Sequence, residues 1–591
     1  MTATATQPAR RVVTSEDGVQ IAVYQHGNPD GPTVVLAHGW PDSHVLWDGV
    51  VPMLVERFRV ITYDNRGVGG SSVPRGVADY TMERFADDFG AVIDELSRDE
   101  RVHVLAHDWG SVGVWEYLGR PGASTRVASF TSVSGPSSHH TANYIRDHLK
   151  RPWRPVQFLR GLGAMLRQTY MVAFAAPVLP PLLARLFLAG LLRHSLIVRD
   201  GIPAQQLHHS EAFGRDAANS IKVYRAVVRG MSKVRRDHYV DVPVQLIVNT
   251  KDRYVKPHSY DDTSRWVAQL WRRDIKAGHW APFSHPQVLA AATTEFVEFI
   301  EGKSASRALL RAKVGRRREP FGDTLVSVTG AGSGIGRATA LEFARLGAEL
   351  VVSDVNEATV KETAAAIAAD GGVAHVYTLD VADGDEVEAF AEQICAEHGV
   401  PDIVVNNAGI GQAGRFIDTP REEFDRVLDI NLGGVVNGCR AFARRLVERG
   451  IGGHIINVAS MAAYSPSQSL SAYCTSKAGV YMFSDCLRAE LDAAGIGLTT
   501  ICPGVIDTNI VHTTRIDAPP GKDGQVDARR EQLEKFYRAR RYGPEKVAKA
   551  IVSAVKKNKP IRPVTAEAYL AYGAARVAPQ VLRSIARGKV L

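Results

Sequence analysis

The segment DTLVSVTGAGSGIGRATALEFARLGAELVVSDVN (323–356) allows very few folds. A short apolar run ends in a glycine-rich turn, a helical pattern follows, and a second apolar run closes on an acid. Strand, tight turn, helix, strand is a βαβ unit, whose two strands lie parallel with the helix crossing over their sheet. Further runs, DIVVNNAG (402–409), GHIINVAS (453–460) and GLTTICPG (497–504), supply more strands of the same kind. Residues 321–565 are therefore expected to form a doubly wound, parallel α/β domain.

The turn has chemical content. In TGAGSGIG (329–336), Gly330 permits the tight bend, Gly334 lets the backbone approach a pyrophosphate, and Gly336 lets the helix pack closely on the strand. Ser333 and Ile335 belong to the same binding loop. The helix N-terminus then faces anionic charge. Asp354 ends the second strand, where a carboxylate accepts hydrogen bonds from both ribose hydroxyls and repels a 2′-phosphate, so NAD is expected rather than NADP. Asp380 and Val381 are placed as an adenine-contacting pair, and Asn407 lies in NNAG after the fourth strand.

SAYCTSKAG (471–479) puts Tyr473 and Lys477 four residues apart, on one face of a helix. An ammonium beside a phenol favours the phenolate, so Tyr473 can exchange a proton with an alcohol or carbonyl while hydride is transferred. Ser460, thirteen residues before Tyr473, can hold the substrate oxygen, and Asn431 can support a relay water beside Lys477. Ser460, Tyr473, Lys477 and Asn431 together resemble the short-chain dehydrogenase/reductase family over roughly 321–560. That resemblance assigns Pro503, Gly504 and Thr508, in CPGVIDT, to a segment capping the nicotinamide. Cys474 is expected to be a packing residue.

The first half carries unrelated motifs. The runs at 33–39, 58–64, 101–108, 127–134 and 242–250 read as buried parallel strands, interrupted at about 140–235 by a Leu/Ala/Arg-rich helical insertion expected to be a lid. AHDWG (106–110) has the form of a nucleophile elbow, small residues flanking a strained turn, with Asp108 in the nucleophile's place. A carboxylate is already an anion at neutral pH and can attack an sp³ carbon directly, giving an ester of the enzyme. Its hydrolysis needs a base. His279 follows the last strand, and Asp252 in NTKDRYV can orient it. Asp108, Asp252, His279 is the chain order of the α/β-hydrolase fold. Backbone N–H groups of Trp40 and Trp109 are placed to receive the oxyanion.

HGWP (38–41), YDNRGVGGSS (63–72), HDWG and GHW resemble the epoxide hydrolases of the α/β-hydrolase superfamily, over roughly 11–300. The resemblance implies two lid tyrosines that donate to the epoxide oxygen as the ring opens. Tyr170 and Tyr224 best match, with Tyr144, Tyr239 and Tyr254 as the other candidates. Two other readings of this half remain: a haloalkane dehalogenase, which usually has an amide side chain where Trp40 stands, and a silent lipid-binding fold serving the dehydrogenase.

The domains are thus expected at 1–301 and 321–565, joined by a basic linker (302–320) with seven Lys/Arg before its first acid and followed by a basic tail (566–591). A net charge of +8 on 591 residues gives no argument for nucleic acid. The five cysteines form no CxxC pair or metal-ligand spacing, so reduced thiols, no metal and a cytoplasmic setting are expected. The greasy run at 168–184 is short for a span and holds three prolines. The arrangement resembles actinobacterial fusions of an epoxide hydrolase with a short-chain dehydrogenase, which implies lipid-like substrates. The resemblance also implies a homo-oligomer through the dehydrogenase half, and the lid and tail are candidates for peripheral membrane contact.

Overall fold

The β-branched runs of the first half become the middle of an eight-stranded sheet. Its strands are β1 (Ala9–Thr14), β2 (Gln20–Gly27), β3 (Thr33–Ala37), β4 (Arg59–Tyr63), β5 (Val102–His107), β6 (Val127–Val133), β7 (Val244–Asn249) and β8 (Leu270–Ile275), in spatial order 1-2-4-3-5-6-7-8. β2 runs antiparallel to both of its neighbours, β1 and β4, and the other pairs are parallel. β3, β5, β6 and β7 are buried at every residue, which is why they read as unbroken apolar runs. β1 and β2 carry His, Gln and Arg among their apolar residues, and β8 reads LWRRDI. That mixed pattern hid them from the sequence reading.

The computed structural model describes residues 9–230, 237–508, 514–516 and 542–586. The chain divides into two units, Met1–Arg316 and Arg317–Leu591. Between β6 and β7, helices run from Ser138 to Gly230, in the interval expected to be a lid. The last expected lid residues, 231–235, lie outside the described residues.

The second unit holds seven parallel strands. They are β9 (Leu325–Thr329), β10 (Glu349–Asp354), β11 (Ala374–Thr378), β12 (Ile403–Asn406), β13 (Gly453–Val458), β14 (Ile496–Cys502) and β15 (Ile561–Pro563), in order 11-10-9-12-13-14-15. The order reverses between β9 and β12, which opens a crevice at their carboxyl ends.

Two expectations need correction, and a third gains detail. The segment 302–320 is not a plain solvated connector. Arg307–Ala312 is a helix capped by the Ser306 hydroxyl, Leu309 is fully buried against Trp271 and Phe296, and Val314 N–H donates to Leu270 O. Alternating apolar residues within the basic run create that face. The basic tail expected at 566–591 is helical in its described part. Helices Ala566–Val577 and Pro579–Ile585 belong to the second unit, Tyr464 Oη donates to Ala568 O, and Arg576 donates to Tyr481 Oη. Residues 587–591 lie outside the described residues. Finally, the prolines at 180 and 181 start a helix rather than break one. A continuous helical stretch, Leu179–Asp200, is 22 residues long and its most apolar 18-residue window has mean hydropathy 1.5, enough by length and composition to cross a membrane.

Candidate active sites

In the first unit, Trp40 follows β3, Asp108 follows β5, Asp252 follows β7 and His279 follows β8, so the chemistry gathers at the carboxyl ends of the parallel strands. Asp108 sits at φ 48°, a left-handed conformation that costs an aspartate energy and is held by its surroundings. The turn needs glycine at two places. A Cβ on Gly110 would lie 2.1 Å from His38 O, and one on Gly39 would lie 2.5 Å from Asp108 Oδ2 and 2.7 Å from Trp109 N. The Trp40 N–H donates to Asp108 Oδ2 at 3.1 Å. Both expected oxyanion donors therefore border Asp108.

His279 lies between two carboxylates. Its Nδ1 is 2.9 Å from Asp252 Oδ2 and its Nε2 is 3.6 Å from Asp108 Oδ1. Burial alone would lower its pKa, but the two carboxylates outweigh burial and carry it up to about 10. Asp252 is buried, yet His279 and the N–H groups of Tyr254 and Val255 hold its pKa below the usual value.

The lid brings both expected tyrosines to this place. Tyr170, in Thr169–Phe174, and Tyr224, in Lys222–Gly230, have ring centroids 6.0 Å apart. Trp40 and Trp109 stand edge-on to Tyr224 at 5.2 and 5.4 Å. Burial raises the pKa of both phenols, and the Asp108 charge raises it further, so both hydroxyls stay protonated donors. Of the other candidates, Tyr144 hydrogen-bonds His258 and Tyr239 is exposed. Tyr254 is at the site, 4.9 Å from the His279 ring and 5.7 Å from Tyr170. Sequence reasoning missed Asp42. It accepts from Trp280 Nε1, and burial with the nearby Asp108 charge pushes its carboxyl up to about 7. Its position directly after HGWP was the available signal.

In the second unit a cleft of about 1590 Å³ is lined by Gly330, Ser333, Gly334, Ile335, Asp354, Asp380, Val381, Asn407, Ser460, Tyr473, Pro503, Gly504 and Thr508. Thirteen residues chosen from sequence thus share one cavity. Gly330 and Gly334 have φ of 64° and 52°, and a Cβ on Gly336 would lie 2.0 Å from Gly330 O. Ser333, at the N-cap of Gly334–Arg345, makes no side-chain cap, which leaves first-turn N–H groups for an outside acceptor. This cradle fits a dinucleotide pyrophosphate. Asp354 accepts from Gly332 N–H and Asn356 N–H, and Asn407 Nδ2 donates to Thr329 O.

Lys477 is buried on helix Ser471–Leu491, its Nζ donating to Val458 O at 3.0 Å and lying 5.9 Å from the Tyr473 ring centroid. Burial pulls its pKa down to about 8, so it is still charged at neutral pH. Asn431 is fully buried and exchanges hydrogen bonds with the backbone of Ile410. A Cβ on Gly409 would lie 2.9 Å from Asn431 Oδ1 and 3.4 Å from Lys477 Nζ, so the two polar groups face one point. Lys477, Asn431 and Gly336 stand behind the cleft wall rather than on it. Burial raises the Cys474 thiol pKa, in keeping with a packing role. Ile585, from the segment expected to be a tail, also lines the cleft, and no sequence signal pointed to it.

Fold and sites define a two-domain enzyme, an α/β-hydrolase unit followed by a short-chain oxidoreductase unit that takes a nicotinamide cofactor. The family models agree: "alpha/beta hydrolase fold" matches residues 32–286 and "short chain dehydrogenase" matches 324–519. The chain is 68% identical over 591 residues to the "Probable oxidoreductase EphD" of Mycobacterium tuberculosis and of Mycobacterium bovis, covering 99% of this chain and 100% of each relative. It belongs to the family of these two-domain proteins. A D-threitol dehydrogenase of Mycolicibacterium smegmatis is 36% identical over 226 residues, 38% of this chain and 83% of that one. Among solved structures, a short-chain dehydrogenase/reductase from Burkholderia phymatum in complex with NAD matches 45% of this chain and 96% of its own, at 27% identity and a TM-score of 0.41.

Proposed function

We propose that the chain is a bifunctional enzyme that hydrolyses an epoxide to a vicinal diol and oxidises or reduces a secondary alcohol or ketone with NAD, on lipid-like substrates in the cytoplasm. The observation that carries the first activity is Asp108 at the elbow, with His279 and Trp40 N–H on its carboxylate and two protonated tyrosines opposite. An Asp108 oxygen attacks the epoxide carbon, the C–O bond breaks, and a tyrosine hydroxyl gives its proton to the departing oxygen. The ester carbonyl then receives water, whose proton passes to His279, while the Trp40 and Trp109 N–H groups donate to the oxyanion. Collapse expels the second diol oxygen, which takes its proton from His279, and the remaining proton of the water returns to the tyrosinate, so that the Asp108 carboxylate is restored and the diol leaves. A halide would have fewer donors here, because the Trp40 indole N–H is committed to Ala217 O at 3.0 Å.

Single turnover in H₂¹⁸O tests the scheme. The label must appear in the Asp108 carboxylate and not in the first equivalent of diol. Label in that first diol would mean direct attack by water and would end the ester proposal.

The pKa of His279 adds a pH prediction. Flanked by two carboxylates, the imidazole is protonated and is no base. Esterification spends the Asp108 charge and so lowers the His279 pKa. Below that pKa the imidazolium cannot take a proton from water, whereas ring opening does not need a neutral His279. Lowering the pH from about 8 to about 6 should therefore raise the steady-state ester fraction in the wild type. Quenched-flow mass analysis of the Asp108 peptide reads it; an ester fraction independent of pH would remove His279 as the water's base.

In the second unit the bound nicotinamide supplies a hydride acceptor or donor. Ser460 holds the substrate oxygen, Tyr473 moves its proton, and Lys477 and Asn431 support Tyr473 from behind the cleft. The preference for NAD rests on Asp354, which is followed by Val355 and Asn356 rather than a base. Arg337, on the adjoining helix, faces Glu362 at 3.5 Å. Asp354→Asn should lower the NAD-over-NADP ratio of kcat/KM by about 100-fold, the scale of one lost charge-assisted pair. An unchanged ratio would mean that Asp354 does not select the cofactor. The two activities form a sequence if diol made by the first unit yields NADH in the second; no NADH from any such diol would separate them.

A further inference from the structure

The lid turns its greasy side outward. Of thirty-two large apolar side chains exposed among the described residues, fifteen fall between Trp153 and Val198. On the stretch Leu179–Asp200, exposed Leu179, Leu183, Leu186, Phe187 and Leu191 recur at about helical spacing on one side, while Ala184, Leu192 and Leu196 are buried on the other. Leu186 and Leu191 are 60% and 67% exposed, where a water-facing helix would carry polar residues.

Charge says what covers this face. From His148 to Arg199 the chain contains eight Lys/Arg and no Asp or Glu. All eight, among them Arg154, Arg167 and Arg185, are exposed, and among the described residues only Arg160 reaches a carboxylate, Asp261 at 3.6 Å. A broad apolar face set among exposed cations, of which among the described residues only Arg160 meets a carboxylate, matches the boundary between acyl chains and anionic headgroups. A partner protein of ordinary interface composition would not call for so one-sided a charge.

One side of this stretch is held by protein: Ala184, Leu192 and Leu196 are buried, a Cβ on Gly214 would lie 2.6 Å from Arg185 O, and helix Phe213–Ser220 is tied to the body through Gly69 N–H on Asp216 at 3.1 Å, which favours a helix lying on a bilayer over one crossing it. Tyr170 and Tyr224, before and after it in the chain, meet at one site. We infer that the lid docks the hydrolase unit onto an anionic bilayer surface, its outer face seated in the headgroup layer. An apolar substrate dissolved in that layer then reaches the lid without passing through water. The docking stands independently of the chemistry assigned to Asp108.

The test uses the full chain and flotation with phosphatidylcholine vesicles, with or without about one-third phosphatidylglycerol. Wild type should float with the anionic vesicles only, and roughly 0.5 M salt should weaken this. Arg154→Gln/Arg167→Gln/Arg185→Gln should lower the partition coefficient by about 100-fold, and Leu186→Ser/Phe187→Ser should abolish flotation, with unaltered melting curves for both. No flotation of wild type, or equal flotation of both variants, overturns the proposal. Concentration-dependent dimerisation that Leu186→Ser/Phe187→Ser abolishes, in a chain that does not float, would assign the face to a second copy instead.

Discussion

His279→Gln mixed with a long-chain cis-epoxide is expected to stop at the ester. The Asp108 peptide should gain the mass of the whole epoxide, and multiple turnover should fall by at least about 10⁴-fold, the usual scale for removing a triad base. The reason lies in what the substitution leaves intact. Asp108 keeps its strained turn and the Trp40 N–H on Oδ2, and the tyrosines keep their protons. Asp252 keeps two backbone donors. Ring opening therefore proceeds, and only the water is left without a base. Asp108→Asn run alongside should take up no mass. A His279→Gln protein that releases diol at the wild-type rate, or that carries no adduct while wild type turns over, would remove the ester from the mechanism.

Tyr473→Phe should lower alcohol oxidation by roughly 10³-fold while NAD binding changes little, because general acid–base transfer contributes about 10²–10⁴. Among the described residues the phenol lines the same cleft as Ser460, whereas the glycine cradle and Asp354 lie on other loops of it. Lys477 keeps its bond to Val458 O in the variant, so the fold of the helix is not at stake. Steady-state kinetics with a secondary alcohol, and fluorescence titration with NADH, separate the two effects. A kcat within about threefold of wild type would mean that another group carries the proton.

The strands that hold these groups were legible because they are buried on both faces and followed by residues that only a tight turn tolerates, Gly110 after Asp108 and Gly330 after β9. Tyr170 and Tyr224 were reached through resemblance alone, since a tyrosine in a helix reads the same whether it packs or donates. Asp42 was passed over because its importance comes from burial against Asp108, which no spacing encodes, and Tyr254 ranked behind Tyr170 and Tyr224 because nothing in the sequence shows its approach to His279. The helix at Arg307–Ala312 was lost under its arginines, although Leu309 marks the one face that packs. Ile585 gave no signal, being an ordinary apolar residue brought to the cleft by tertiary folding.

Trp40 grips two bodies at once: its main chain holds the nucleophile, and its indole holds Ala217, at the core of the helical cover. The two grips act as an interlock. A cover that swings away to admit a bulky molecule either breaks the indole bond or drags on the residue that steadies Asp108. The Asp108 carboxylate and the cover are thus tied through one residue, so that a change in the seating of Ala217 is felt at Oδ2.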